Sequence, residues 1–199
     1  MGRRGDQTYA FADRWLRLRP AGPPGSQPNL ELPDWVDVIA VTPDDRVVLV
    51  DQYRHGVARV RTEFPAGTVE DDEAPLAAAQ RELLEETGYA SSCWHAIGSA
   101  AVYPRAQSNR IYSFLALDAR KAADPTPDAA EIIHVRELPL GDLVEQVRTG
   151  RLELPALQLA DLVWLQAFLR RSTDARLARL LDRLVIRSRG GRGTSGPCP

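Results

Sequence analysis

The sequence predicts an α/β protein: a mixed β-sheet with helices on its faces. Three observations predict it. Apolar, β-branched runs come in pairs joined by short turns, one long Ala/Leu/Glu-rich helix interrupts the strands, and the C-terminal third turns helical. In order, residues 1–19 are mixed, and 20–34 (PAGPPGSQPNLELPD) hold too much Pro and Gly for a long regular element. VDVIAVT (36–42) and RVVLVDQYR (46–54) read as two strands across a Pro43-Asp44-Asp45 turn, and 59–64 as a further strand. APLAAAQRELLEETG (74–88) is the clearest helix, with Pro75 near its start and Gly88 placed to cap its end. Strands are expected at 94–102, 110–117 and 131–137, and helices at 139–149, 155–170 (opened by Pro155) and 173–186. The division is an N-terminal extension over 1–34, a main domain over 35–187, and a low-complexity tail over 188–199 (SRGGRGTSGPCP) expected to be disordered.

Composition narrows the function classes. The chain has 199 residues, 44% hydrophobic and 26% charged, enough to bury a core without metal or disulfide staples. A net charge of −2 argues against a nucleic-acid-wrapping surface and a polybasic membrane anchor. Lys121 is the only lysine among 25 basic residues, which reads as coding bias. Cys93 and Cys198 cannot form a disulfide framework or a Cys-based zinc site and fit a reducing cytoplasm. No apolar run approaches the ~18 residues of a membrane helix, the first residues are not a secretory signal, and Asp6 makes Gly2 a poor myristoylation acceptor.

The chemistry is carried by the helix at 74–88. Glu82, Glu85 and Glu86 stand at i, i+3 and i+4, on one face. Like charges at that spacing each cost a few tenths of a kcal/mol, and two of them lie in the last turn, where the helix dipole prefers cations by about 0.3–1 kcal/mol each. Three carboxylates at the wrong end of a helix suggest a cation among them. Hard oxygen donors select Mg²⁺ or Mn²⁺ rather than zinc, and such ions share their remaining positions with phosphate oxygens. Upstream, EFPAGTVED (63–71) forms a Pro65/Gly67 turn whose backbone carbonyls can add a ligand.

Taken together, GTVEDDEAPLAAAQRELLEETGY (67–89) resembles the Nudix box, Gly-x5-Glu-x7-Arg-Glu-U-x-Glu-Glu-x-Gly-U with U hydrophobic. Gly67, Glu73, Arg81, Glu82, Leu83, Glu85, Glu86, Gly88 and Tyr89 fill every position, the last with an aromatic where an aliphatic is commoner. The resemblance runs over roughly residues 35–170. It implies a Nudix-type α/β/α sandwich with a mixed sheet, a loop–helix–loop catalytic motif and extra C-terminal helices. The implied activity is hydrolysis of a nucleoside diphosphate linked to another moiety. By the same resemblance, Glu82, Glu85, Glu86 and the Ala66 carbonyl hold divalent metal, while Glu73 and Arg81 join loop to helix. Metal-assisted attack of water on a pyrophosphate phosphorus follows. The water's proton goes to Glu131, in a segment (124–140) similar to the region that supplies the base in ADP-ribose-cleaving relatives, or else to Glu82 or Glu85.

Outside the box, Gln52-Tyr53-Arg54, Glu63-Phe64-Pro65-Ala66-Gly67 and Pro104 resemble the ADP-ribose and nucleoside-diphosphate-sugar pyrophosphatases. Arg54 is then expected on the diphosphate and Arg105 on the terminal ribose or phosphate. YPRAQSNR (103–110) lacks the Ser-Pro-Gly triplet common in that subgroup, which leaves the sugar open. Other readings are a dinucleoside polyphosphate, a coenzyme A-type diphosphate or an oxidised nucleoside triphosphate as substrate, or a nucleotide-sugar sensor that does not cleave. His55, His95 and His134 lack metal-ligand spacing, and Cys93 is expected to be a small buried apolar residue. Trp15, Trp35, Trp94 and Trp164 are read as core or interface residues, with Trp15 or Trp35 on adenine the alternative. Residues 6–34, with a strand over 13–19, resemble the extension through which ADP-ribose-cleaving relatives dimerise, so a homodimer is expected.

Overall fold

The computed structural model describes residues 9–13, 16–22, 27–127 and 132–184. Twelve strands and four helices follow one another among them. The strands are β1 (Phe11–Ala12), β2 (Arg17–Arg19), β3 (Asn29–Glu31), β4 (Trp35–Val41), β5 (Arg46–Arg54), β6 (Arg59–Glu63), β7 (Ala66–Thr68), β8 (Tyr89–Ala90), β9 (Cys93–Ala101), β10 (Arg110–Leu117), β11 (Arg120–Lys121) and β12 (Ile133–Pro139). The helices are α1 (Pro75–Thr87), α2 (Leu140–Arg148), α3 (Ala156–Arg171) and α4 (Ala175–Leu184). The main sheet runs β12-β5-β4-β10-β9, with β6 beside β5 and β7 beside β4; β4 and β10 are parallel and their neighbours antiparallel. This is the expected mixed sheet with helices on both faces.

Alternation along β4 sorts the two cores. Val36, Val38 and Ala40 pack with Ala78, Ala79 and Leu83 of α1, while Ile39 and Val41 face Leu165 and Leu169 of α3 and Leu177, Leu180 and Leu184 of α4. The turn at 42–45 puts Asp45 at φ 58, a left-handed conformation that Asp tolerates. Helix α1 ends at Gly88, whose φ of 71 is the left-handed cap expected of a glycine there.

The sheet is split where it matters. β4 pairs with β5 only at Ala40–Val41, after which the two diverge. β6 then follows β5, and β7 follows β4 through Trp35↔Thr68, Val36↔Gly67 and Asp37↔Ala66. Phe64 and Pro65 cross the gap between them. The short sheet β1-β2-β3 touches the domain where Leu30 bridges Gln107. Strand content at 17–19 lies within the expected 13–19, whereas Trp15, Glu131 and residues 185–199 lie outside the described residues. No described helix is long and apolar enough to cross a membrane.

Candidate active site

Helix α1 places Glu82, Glu85 and Glu86 on one face, and the 63–68 segment lies against them. Glu86 is 4% exposed, and its Oε2 accepts the Ala66 N–H at 3.0 Å. Gly67 is required by close approach: a Cβ there would fall 1.9–2.4 Å from the Glu82 carboxyl group. Glu73 and Arg81 form a two-point pair, Nε to Oε1 at 3.0 Å and Nη2 to Oε2 at 2.9 Å, while Nη2 also donates to the Thr68 carbonyl at 2.9 Å. Arg81 Nη1 reaches Glu82 at 2.8 Å and Glu85 at 3.2 Å. One guanidinium thus ties loop to helix and screens three carboxylates. Its bonds to Glu73 hold that carboxyl below its ordinary pKa, and the same bonds, with those to Glu82, raise Arg81 above its own.

The end of α1 has no basic residue of its own in the last turn. The cation comes from β11, where Lys121 Nζ donates to the Thr87 carbonyl at 3.0 Å. Tyr89, the aromatic in the aliphatic position, hydrogen-bonds Glu137 of β12, and burial followed by that bond pushes its phenol up to about 12.

Gly67, Arg81, Glu82, Glu85 and Glu86 line a cleft of about 410 Å³ with Arg54, Ala66, Thr68, Glu70 and Pro127. Its oxygen-only acidic donors suit a hard divalent cation. Among the described residues no three acidic, His or Cys side chains already converge as a metal cage. Arg81 Nη1 and the Ala66 N–H bond these carboxylates directly. Thr126 N–H donates to the Glu85 carbonyl at 2.8 Å, and Pro127 lies in the cleft lining.

Arg54 lines this cleft and also a second, of about 550 Å³, that shares Ala66, Gly67 and Thr68 with it. Its Nε and Nη2 donate to Glu63 Oε2 at 3.0 and 2.7 Å. The second cleft has Trp35, Pro155, Ala156 and Leu157 for walls and Asp37, Glu63 and Gln158 as polar groups. Arg105 is exposed in the turn at 104–106 and lines neither cleft. His55, His95 and His134 are likewise absent from both linings. Cys93 is half-buried rather than buried, because it begins β9 at the sheet edge, and its Sγ lies 3.6 Å from His95 Nε2. Of the four tryptophans, Trp35 lines the second cleft, while Trp164 covers Gly98 and Trp94 donates to the Ser91 carbonyl at 2.8 Å.

Sequence reasoning missed a buried polar group under the second cleft. Gln158, Asp161, Leu165 and Leu169 are the buried residues of α3, so two of the four positions of its inward stripe are polar. Asp37 likewise occupies a core-facing position of β4. Asp161 accepts from Ser113 Oγ and hydrogen-bonds Asp37, and Gln158 Nε2 donates to Asp37 Oδ1 at 3.4 Å. Burial first, then the neighbouring Asp161 carboxylate, raises Asp37 well above its ordinary value, and burial raises Asp161 too. Burial and the closeness of the two groups thus both favour the protonated form of the pair. Polar residues on an otherwise apolar stripe were the signal that could have found it.

The NUDIX domain model matches residues 32–157. The methanol dehydrogenase activator of Bacillus methanolicus is 31% identical over 149 residues, covering 71% of this chain and 80% of that one. The ADP-ribose pyrophosphatase of Bacillus subtilis (strain 168) is 30% identical over 131 residues, covering 65% and 71%. A solved structure described as an ADP compounds hydrolase superposes with a TM-score of 0.64 at 18% identity, covering 82% of this chain and 91% of its own. The chain belongs to the Nudix family and is a Nudix hydrolase, a family that in general uses divalent metal ions.

Proposed function

We propose that the protein hydrolyses the pyrophosphate bond of a nucleoside diphosphate linked to another moiety, in the first place ADP-ribose or a related nucleoside-diphosphate sugar. The products are a nucleoside monophosphate and a sugar phosphate. One observation carries the reading: the cleft of box carboxylates shares Arg54, Ala66, Gly67 and Thr68 with an apolar-walled cleft large enough for the organic end of such a substrate. The names of the relatives support it, including the mouse ADP-sugar pyrophosphatase, 33% identical over 106 residues.

In this reading Glu82, Glu85, Glu86 and the Ala66 carbonyl hold Mg²⁺, with Mn²⁺ able to substitute. The bound ion supplies positive charge that polarises the phosphoryl oxygens and eases attack by water. Arg81 and Glu73 keep loop and helix in register, so the carboxylates stay aimed at the cleft. Arg54, held by Glu63 at the boundary of the two clefts, meets the diphosphate. Glu131 takes the water's proton as the new P–O bond forms and the bridging P–O bond breaks, the leaving phosphate departing with the electron pair. A homodimer through the N-terminal sheet belongs to the same proposal, and light scattering tests it.

The test of the activity is a panel of ADP-ribose, GDP-mannose, a diadenosine polyphosphate and 8-oxo-dGTP, with Mg²⁺ and with EDTA, scored for released phosphatase-sensitive phosphate. Turnover of the sugar compounds that EDTA abolishes is expected. Silence across the panel with both Mg²⁺ and Mn²⁺ removes the enzyme reading in favour of a sensor. Glu131→Gln is expected to lower the rate while metal affinity is retained; a rate equal to that of the natural protein moves the base elsewhere.

A further inference from the structure

The crossing of the split sheet presents a hydrogen-bonding problem. Glu63 still pairs with β5 and Ala66 already pairs with β4, so the Phe64 peptide belongs to neither ladder. Phe64 is nonetheless fully buried. A buried N–H or C=O left without a partner costs about 1–3 kcal/mol. Gln158 supplies both missing partners: its Oε1 accepts the Phe64 N–H at 2.8 Å, and its Nε2 donates to the Phe64 carbonyl at 3.2 Å. A side-chain amide from α3 thus stands where a neighbouring strand's peptide would stand. An amide suits the position because it carries one donor and one acceptor side by side.

The amide is itself held. Its Nε2 also donates to Asp37 on β4, and one helical turn further along α3 Asp161 bonds both Asp37 and, from β10, Ser113. On the other side of the crossing, two residues beyond Phe64, the Ala66 N–H bonds Glu86 and Gly67 abuts the Glu82 carboxyl group. The chain at 64–67 is therefore gripped from one side by α3 and from the other by the acidic end of α1.

We propose that Gln158 is a positioning residue of the hydrolase: by clamping the Phe64 peptide it sets where Ala66 and Gly67 lie against Glu86 and Glu82, and so sets the affinity of the cleft for its divalent cation. The proposal rests on the reading of that cleft as the metal site. It assigns to α3, which lies outside the box and on the opposite face of the sheet from α1, a share in tuning the box. Gln158 acts through Phe64 and Ala66 and touches no reacting atom.

The test uses the full chain and Mn²⁺ alone, followed by electron paramagnetic resonance without substrate, and then by kinetics. Gln158→Met keeps the length and apolar volume and removes both hydrogen bonds to Phe64 along with the one to Asp37. It is expected to weaken Mn²⁺ binding about tenfold and to raise the Mg²⁺ concentration for half-maximal rate by a similar factor; the Mn²⁺ measurement, made without substrate, reads the clamp apart from any contact Gln158 makes in the second cleft. Gln158→Asn, one methylene short of Phe64, is expected to act in the same direction and serves if the methionine variant does not fold. Leu165→Ala is the control, since it unpacks the same helix without touching the clamp; it is expected to lower Tm and leave Mn²⁺ binding unchanged. A folded Gln158 variant that binds Mn²⁺ as the natural protein does overturns the proposal, as does an equal loss of affinity in Leu165→Ala. Natural protein that binds Mn²⁺ yet cleaves nothing in the panel sinks the proposed activity alone. Failure of the natural protein to bind Mn²⁺ sinks both.

Discussion

Glu82, Glu85 and Glu86 crowd the end of α1 beside the Arg81 guanidinium, whereas Asp37 and Asp161 meet on the other face of the sheet upon a hydroxyl and an amide. The first group faces a cleft, and its repulsion is relieved by a cation. The second is buried, with Asp161 at 0% exposure, and burial favours its protonated form. A carboxylate cluster at a cleft, screened by one guanidinium, is open to a cation from solvent. A cluster that has taken up a proton in a dry site can only brace. The difference separates the proposed catalytic cleft from a buried brace, although both are acidic and both flank the 63–67 segment.

The largest effect is expected from Glu86→Gln, which removes charge at the most buried carboxylate of the cleft. It is expected to lower kcat by about 10³-fold while the circular dichroism spectrum stays that of the natural protein. A folded variant with near-natural turnover breaks the assignment of the cleft as catalytic. Next comes Arg81→Ala, which leaves three carboxylates without their shared counter-ion. A stability loss of about 2 kcal/mol by urea denaturation is expected in EDTA, and a smaller one in Mg²⁺, because the divalent ion takes over the screening. Glu73 sets the sign with pH: its folded pKa is lowered, so its contribution is present above the ordinary carboxylate range and fades on acidification. The deficit of Arg81→Ala is therefore expected to shrink in acid.

The buried pair has the opposite sign. Folded pKa values raised above those of the unfolded chain mean stability that is full below the ordinary carboxylate value and declines as pH climbs through the raised ones. Asp161→Asn is expected to flatten that decline between about pH 4 and 7 by about 1–2 kcal/mol, read from denaturation midpoints across the range. A variant that keeps the natural slope shows that the pair does not hold a proton. The smallest effect is a contrast of two arginines. Arg54→Ala is expected to raise KM about five- to tenfold with a lesser fall in kcat, whereas Arg105→Ala, outside both clefts, changes KM by about twofold or less. Equal effects would erase the distinction between lining and exposed positions.

The box was legible because its geometry is local. Between Gly67 and Gly88 a helix of known pitch does the arranging, and three glutamates at i, i+3 and i+4 must share a face wherever that helix is placed. β4 and β5 were legible for a similar reason, their continuous β-branched runs marking strands buried on both faces. The split of the sheet was not: whether β5 keeps β4 or takes β6 as its partner depends on long-range pairing that 59–64 does not encode by itself. Nor was the role of Lys121, which caps α1 from a strand 34 residues away.

The sequence by itself determined a Nudix loop–helix–loop, the carboxylates that crowd it and the strands and helices around it, because each rests on contacts a few residues apart. Only the tertiary structure decided that Gln158 would meet Phe64 across 94 residues, Asp37 across 121, and Ser113 reach Asp161 across 48. Such contacts follow from which faces of α3, β4 and β10 are pressed together. Burial then converts ordinary polar residues into a clamp, because an unpaired polar group costs most where water is absent.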